Sequence, residues 1–134
     1  MHATENENTN GSLREWMQRR AIENVALSDR SAGERVTMLV RDRIANGSER
    51  VVITNADREV PRGLVDHAFD ALRYSGLVCA PDADGAIALL GMTEPLAELF
   101  ARVPWEASDA LEQLLSAARQ DRVSVLLLPP ANRL

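Results

Sequence analysis

The sequence contains no lysine, since all 15 of its basic residues are arginine. Enzymes that form a Schiff base with their substrate need a lysine amine, and P-loop nucleotide hydrolases need a lysine in the loop that holds the phosphates. Both classes are therefore excluded. The single cysteine, Cys79, also excludes an intrachain disulfide and a cysteine-based metal cluster. Because Cys79 lies in the apolar run from Leu77 to Ala80, we predict a buried core thiol rather than a nucleophile.

Histidine is almost as scarce. His2 and His67 are the only two in the chain, so a histidine-rich metal site is excluded and at most one histidine could serve as the base of a catalytic triad. His67 falls on the polar side of a predicted helix. We expect its side chain to be solvated rather than catalytic.

The chain also lacks long apolar runs and clusters of positive charge. No segment approaches the roughly 18 apolar residues of a membrane span, and the first 11 residues are polar and acidic, unlike a secretion signal. The net charge of −5, with no basic run, argues against nucleic-acid binding. We therefore expect a cytoplasmic protein that contacts neither membranes nor nucleic acid.

The length of 134 residues, 46% of them hydrophobic, suits one compact domain. Residues 1–11 are polar and without periodicity, and we expect a disordered tail there and a single α/β domain over residues 12–134. Ser12 followed by Glu15 resembles a capping box, and apolar residues then recur at helical spacing, which predicts a first helix over residues 13–26. We expect Trp16 of this helix to pack in the core or at an interface.

Strands and helices alternate through the rest of the chain, which predicts an open mixed sheet with helices packed on it. The apolar runs predict strands at residues 51–54, 77–80, 87–90 and 123–128. Cap residues, prolines and helical periodicity predict helices that begin near Ser31, Pro61, Pro95 and Ser108.

Two loops at predicted strand ends carry acidic residues. Asn55 and Asp57 follow the strand at residues 51–54, and Asp84 with Gly85 lies between the strands at residues 77–80 and 87–90. Ligands of open α/β sheets bind where strands end. A carboxylate there can hold a divalent ion on a diphosphate, and an acid in a facing loop can act as a general base. Acidic loop residues are also ordinary turn formers, so each signal is weak by itself.

The order and spacing of these motifs resemble one known family. The segments that carry the resemblance are Gly33-Glu34-Arg35, residues 51–57, Ala68 to Leu72, Ala80 to Gly91, and Leu99 to Trp105 with its Val-Pro-Trp end. The stretch from about Gly33 to Leu128 looks like the small bacterial GT-A-like glycosyltransferase family once described only as a domain of unknown function. Its members are often called radical-SAM/selenodomain-associated transferases.

The resemblance implies a GT-A/Rossmann-like α/β fold and roles for particular residues. Asp57 would bind a Mg²⁺ or Mn²⁺ ion that bridges a nucleotide sugar, and Asp84 would be the base or acceptor ligand. Asn55, Gly85 and Trp105 would contact the substrate. The chain departs from the family pattern at several positions: Asn55-Ala56 replaces Gly-Ser, Arg58-Glu59 replaces Cys-Pro, and Ala86 replaces a glycine. Nothing before Ser31 resembles the family's N-terminal nucleotide-binding strands.

These departures leave three readings open. The chain is a truncated, non-catalytic relative that serves as an accessory or interaction protein, or a metal-dependent nucleotide-sugar transferase, or a small-molecule tailoring enzyme that uses Asp57 and Asp84 for proton transfer. Without the family's N-terminal strands, the strand at residues 51–54 would be an open edge unless the helix that carries Trp16 and Met17 covers it. If the helix does not, an apolar surface remains that a second copy could cover. We therefore expect a homodimer or a stable complex with a protein partner.

Overall fold

The computed structural model describes residues 19–133, which form an open mixed sheet with helices on both faces. The strands are β1 (Arg20–Val25), β2 (Arg50–Asn55), β3 (Leu77–Pro81), β4 (Ile87–Met92) and β5 (Val125–Leu127). The helices are α1 (Ala32–Ala45), α2 (Arg62–Ala71), α3 (Ala97–Ala101) and α4 (Ala110–Gln120), followed by a 3-10 turn (Ala131–Arg133). Apart from the first helix, the predicted elements are confirmed to within a few residues. Among residues 19–133 no helix is both long and apolar enough to cross a membrane.

The five strands are ordered β1-β2-β4-β3-β5. β1 and β2 are parallel, as are β3 and β5, whereas β4 is antiparallel to both β2 and β3. Four strands therefore end at the same edge of the sheet, where β4 begins. We call this the C-terminal edge and the opposite one the N-terminal edge.

The prediction of a first helix over residues 13–26 is wrong for its described part. Residues 20–25 form β1, which pairs in parallel with β2 from Arg20↔Arg50 to Val25↔Asn55. The side chains alternate between more and less exposed along this strand, and this period of two belongs to a strand. Tertiary pairing with β2 overrides the local helical pattern. Residues 1–18, which include Ser12, Trp16 and the predicted tail, lie outside the described residues.

β1 also changes the position of β2 in the sheet. The prediction that the strand at residues 51–54 would be an open edge is wrong, because β2 lies between β1 and β4. Val51, Val52 and Ile53 are fully buried, as expected for a β-branched strand covered on both faces. Within residues 19–133 the edge strands are β1 and β5.

The core has one layer on each face of the sheet. Side chains of α1, α3 and α4 pack on one face, and α2 packs on the other. Cys79 is fully buried in the first layer, as predicted, and burial raises the pKa of its thiol to about 12. Such a thiol carries almost no thiolate at neutral pH and is a poor nucleophile. His67 is exposed on α2, as predicted.

Candidate functional site

Asn55, the last residue of β2, connects three segments at the C-terminal edge. Its side-chain oxygen accepts hydrogen bonds from the backbone N–H of Leu27 (3.2 Å) and of Asp57 (3.1 Å). Its amide nitrogen donates to the carbonyl of Ile87 at 2.8 Å. The residue is 1% exposed. Because these bonds use both acceptor positions of its oxygen and the side chain is buried, Asn55 shapes the loops and has little surface for a substrate to contact.

Asp57 lies two residues beyond the end of β2 and is exposed. Its backbone is fixed by the Asn55 side chain, so the position of the carboxylate depends on a buried neighbour. No described residue forms an ion pair or hydrogen bond with that carboxylate. Asp57 is therefore open to a ligand from solution, as a metal-binding role would require.

Asp84 and Gly85 belong to a tight turn between β3 and β4. Gly85 has a φ of +86°, a conformation that glycine adopts without steric cost. The turn is closed by a hydrogen bond from Asp82 N–H to the Ala86 carbonyl (2.7 Å) and by one from Ala86 N–H to the Asp84 carboxylate (3.1 Å). Both predicted residues thus have a clear part in building the turn.

Arg58 joins the two loops. One nitrogen of its guanidinium, Nη1, lies 2.7 Å from Asp84 Oδ2 and 3.4 Å from Asp82 Oδ2. The structure therefore brings the strand end at Asn55–Asp57 and the Asp84–Gly85 turn together along one rim, with an arginine between them. The sequence showed Arg58 only as a departure from the family pattern. A contact between residues 26 positions apart has no local signal.

The contact with Arg58 changes the chemistry of Asp84. The hydrogen bond from Arg58, with a smaller contribution from the Ala86 backbone N–H, lowers the pKa of Asp84, and the same contact raises the pKa of Arg58. A carboxylate whose pKa is lowered stays ionised but accepts a proton less readily. This disfavours Asp84 as a general base. The tailoring reaction needs a raised pKa on one of its two acids, and Asp84 does not meet this condition.

Trp105 is 3% exposed and lies in the core layer beneath α1. Its indole N–H donates to the Phe100 carbonyl at 2.9 Å, and the two rings meet edge to face with centroids 5.6 Å apart. Gly33, at the start of α1, permits this approach, because a Cβ there would lie 2.6 Å from the indole nitrogen. Little of the ring is left for an acceptor to contact.

A cavity of about 650 Å³ opens beside the rim. Its walls come from the loop after β2, the β3–β4 turn and the C-terminal 3-10 turn: Glu59, Val60, Pro61, Asp82, Ala131 and Asn132. Among residues 19–133 no group of three or more histidine, cysteine, aspartate or glutamate side chains is placed to hold a metal ion. An ion at Asp57 would have to take most of its ligands from a bound diphosphate and water.

Comparison with known proteins agrees with this architecture. A crystal structure from Desulfovibrio desulfuricans G20, described as a "putative nucleotide-diphospho-sugar transferase", superimposes with a TM-score of 0.65 at 27% sequence identity. The match covers 73% of this chain and 44% of that one, so the chain spans less than half the length of that protein. No curated protein matches the chain.

A protein-family model also matches the chain. The model of the family described as "Uncharacterized protein conserved in bacteria (DUF2064)" matches residues 4–107. The match begins well before Gly33, where the motif resemblance starts. Since it takes in more than half of the 134 residues, and since the fold is that of a GT-A-like nucleotide-sugar transferase, the chain belongs to this family.

Proposed function

We propose that this chain is a non-catalytic relative of the nucleotide-sugar transferases and serves as an accessory or interaction protein, as a homodimer or with another protein. The observation that carries the proposal is the ion pair between Arg58 and Asp84. The arginine places a fixed positive charge between the two acidic loops, where a transferase of this kind would hold a metal and a diphosphate. A second cation in this position would be repelled.

The composition of the rim supports the same proposal. Asn55 is occupied by three backbone groups, Trp105 is buried, and the pKa of Asp84 is lowered. Of the residues expected to act on a substrate, Asp57 alone presents a carboxylate without a protein partner among the described residues. One open carboxylate holds a divalent ion weakly.

The alternative is a metal-dependent nucleotide-sugar transferase, and the open carboxylate of Asp57 is the observation that favours it. In that case Asp57 would bind Mg²⁺ or Mn²⁺ together with the donor diphosphate. Arg58 could leave Asp84 and contact the phosphate oxygens, which suit a planar guanidinium. The two candidates differ in whether a nucleotide sugar binds and whether the binding needs both metal and Asp57.

A thermal-shift screen separates the two. Purified chain is heated with uridine, guanosine, cytidine and thymidine diphosphate sugars, each with and without Mn²⁺ or Mg²⁺. We expect no metal-dependent rise in Tm. A ligand raises Tm only when it binds the folded state, and a non-catalytic relative would not bind these ligands. A metal-dependent rise that disappears in Asp57→Asn but persists in Glu112→Gln, an exposed carboxylate on α4, would replace the accessory role with the transferase.

The partner surface that we propose is the side of β1 that faces away from β2, with which no strand of residues 19–133 pairs. The carbonyls of Arg19 and Val25 accept hydrogen bonds from Arg50 and Ala56 on the β2 side. Backbone groups alternate along a parallel strand, so those of Arg20, Ile22 and Asn24 point away from β2. Ile22 is 55% exposed, which is unusual for a large apolar residue on a strand. An edge of this kind favours pairing with another strand.

A further inference from the structure

Three arginines surround a cavity at the N-terminal edge of the sheet, on the α2 face and remote from the Asn55–Asp57 rim. Arg20 begins β1, Arg50 begins β2, and Arg73 follows the end of α2. The cavity has a volume of about 310 Å³, and Asp66, Phe69 and Asp70 of α2 complete its walls. It contains none of the residues considered so far as a catalytic or substrate-binding site.

Two of these arginines face each other across neighbouring strands. Arg20 and Arg50 are direct partners in the register of β1 with β2 and line the same cavity. Two like charges held close together on neighbouring strands repel each other. An anion bound next to the two guanidinium groups would relieve this repulsion.

Arg20 is held in place within the wall of the cavity. Its guanidinium carbon lies 3.9 Å from the centroid of the Phe69 ring, and Nη2 lies 3.5 Å from Asp66 Oδ1. The side chain is only 18% exposed. A guanidinium stacked on an aromatic ring and partly desolvated keeps a fixed orientation, so it gives the cavity a permanent positive wall.

The other two arginines are available to a ligand. Arg50 forms no side-chain hydrogen bond or ion pair with any residue from 19 to 133. Arg73 contacts Asp70 at 3.6 Å, but both side chains are more than half exposed, and a pair of this kind contributes little to stability. Among residues 19–133 the lining has two carboxylates and three guanidinium groups, an excess of one positive charge at neutral pH.

We propose that this cavity binds the phosphate group of a small phosphorylated molecule. Arg50 and Arg73 are its principal ligands, and Arg20 supplies the fixed charge behind them. Guanidinium groups match phosphate oxygens with paired hydrogen bonds. The volume lies at the lower end of the range for ligand sites, which suits a phosphate with a short organic group rather than a nucleotide sugar. This site does not depend on the proposed function.

Calorimetric titration of the whole chain with inorganic phosphate, at ionic strength held constant with chloride, tests the proposal. We expect saturable binding at one site. Arg50→Gln should weaken it about tenfold or more, because a charge-assisted contact is lost. Arg119→Gln is the matched control: it removes the same charge from an exposed position on α4, across the sheet, and should leave the affinity unchanged.

Two further variants test whether a loss of binding in Arg50→Gln comes from misfolding instead of the lost contact. Arg73→Gln changes a half-exposed side chain outside the core and should also weaken phosphate binding. Asp70→Asn should strengthen it, since Asp70 competes with phosphate for Arg73. Absence of saturable heat with the unmodified chain, or an affinity that Arg50→Gln and Arg73→Gln leave unchanged, would overturn the proposal. So would an equal loss in Arg119→Gln.

Discussion

At the scale of single residues, the rim at the C-terminal edge depends on two side chains with different tasks. Asn55 is buried and neutral and holds three backbone segments, whereas Arg58 is partly exposed and charged and connects two loops. Loss of a buried hydrogen-bond partner leaves polar groups unsatisfied, while loss of a surface contact exposes them to water. The two residues therefore give different predictions.

Asn55→Ala removes the partner of three backbone groups, on Leu27, Asp57 and Ile87. We expect the free energy of unfolding to fall by about 2–4 kcal/mol in urea titrations. The control is Asn24→Ala, which removes one exposed hydrogen bond to Thr54 and should cost less than about 1 kcal/mol. Equal losses in the two variants would contradict the role given to Asn55.

Arg58→Gln should raise the pKa of Asp84 toward its ordinary value, as measured by NMR titration of the carboxylate. The folded-state pKa of Asp84 lies below that of the unfolded chain, so the contact stabilises the fold above the unfolded pKa of about 3.9. This stabilisation is lost as the pH falls through the folded pKa. The stability difference between the two proteins should therefore be present at neutral pH and disappear in acid.

Arg35→Gln is the control for that titration, because Arg35 contacts a different carboxylate, that of Asp29, at 3.3 Å. The pKa of Asp84 should be unchanged in this variant. A titration curve for Asp84 that is identical with and without Arg58 would remove the main support for a non-catalytic rim.

At the scale of elements, the start of α1 is fixed by a close approach rather than by helix propensity. A Cβ on Gly33 would lie 2.7 Å from the Phe100 carbonyl oxygen and 2.6 Å from Trp105 Nε1. Gly33→Ala should therefore destabilise the protein by about 1–3 kcal/mol, although alanine is the better helix former. Thermal unfolding and the fluorescence of Trp105 would register the change.

Gly63, near the start of α2, provides the matched comparison. No heavy atom lies within 4 Å of a Cβ built there, so Gly63→Ala should stabilise the protein by up to about 1 kcal/mol. If the glycine-to-alanine change lowers the stability at Gly33 and raises it at Gly63, steric packing and not helix propensity decides the effect at Gly33. If Gly33→Ala were also stabilising, the tight contact between α1 and α3 would not exist in solution.

The sequence predicted most elements correctly because their apolar residues follow one period clearly. Residues 20–25 are the exception. Ala21 and Val25 are spaced as in a helix, but side-chain exposure along this segment alternates as in a strand, because the segment pairs with β2. Candidate residues were harder to interpret than strands. Asn55 and Asp84 could be chosen as candidate residues because they follow or connect predicted strands. The hydrogen bond of Asn55 with Leu27 and that of Asp84 with Arg58 join segments more than 20 residues apart, so the sequence could not predict them.

At the scale of the whole molecule, the position of β1 as an edge strand among the described residues leads to a prediction about assembly. We expect a homodimer in light scattering at tens of micromolar, and Ile22→Lys should shift it to monomer because charges on an edge strand oppose pairing. Leu127→Lys is the matched control, since Leu127 is 53% exposed on β5, the other edge strand. A monomer before any substitution would contradict the prediction.

The central place of β4 has a consequence for how the molecule opens. β4 runs between β2 and β3, pairs with both, and has all six of its residues buried. Its amide protons should exchange with deuterium only when the entire domain comes apart, whereas β1 and β5 can loosen one at a time. Hydrogen exchange of β4 would thus measure the global free energy of unfolding. Exchange of β1 and β5 would measure local openings, in which another strand can pair with the sheet.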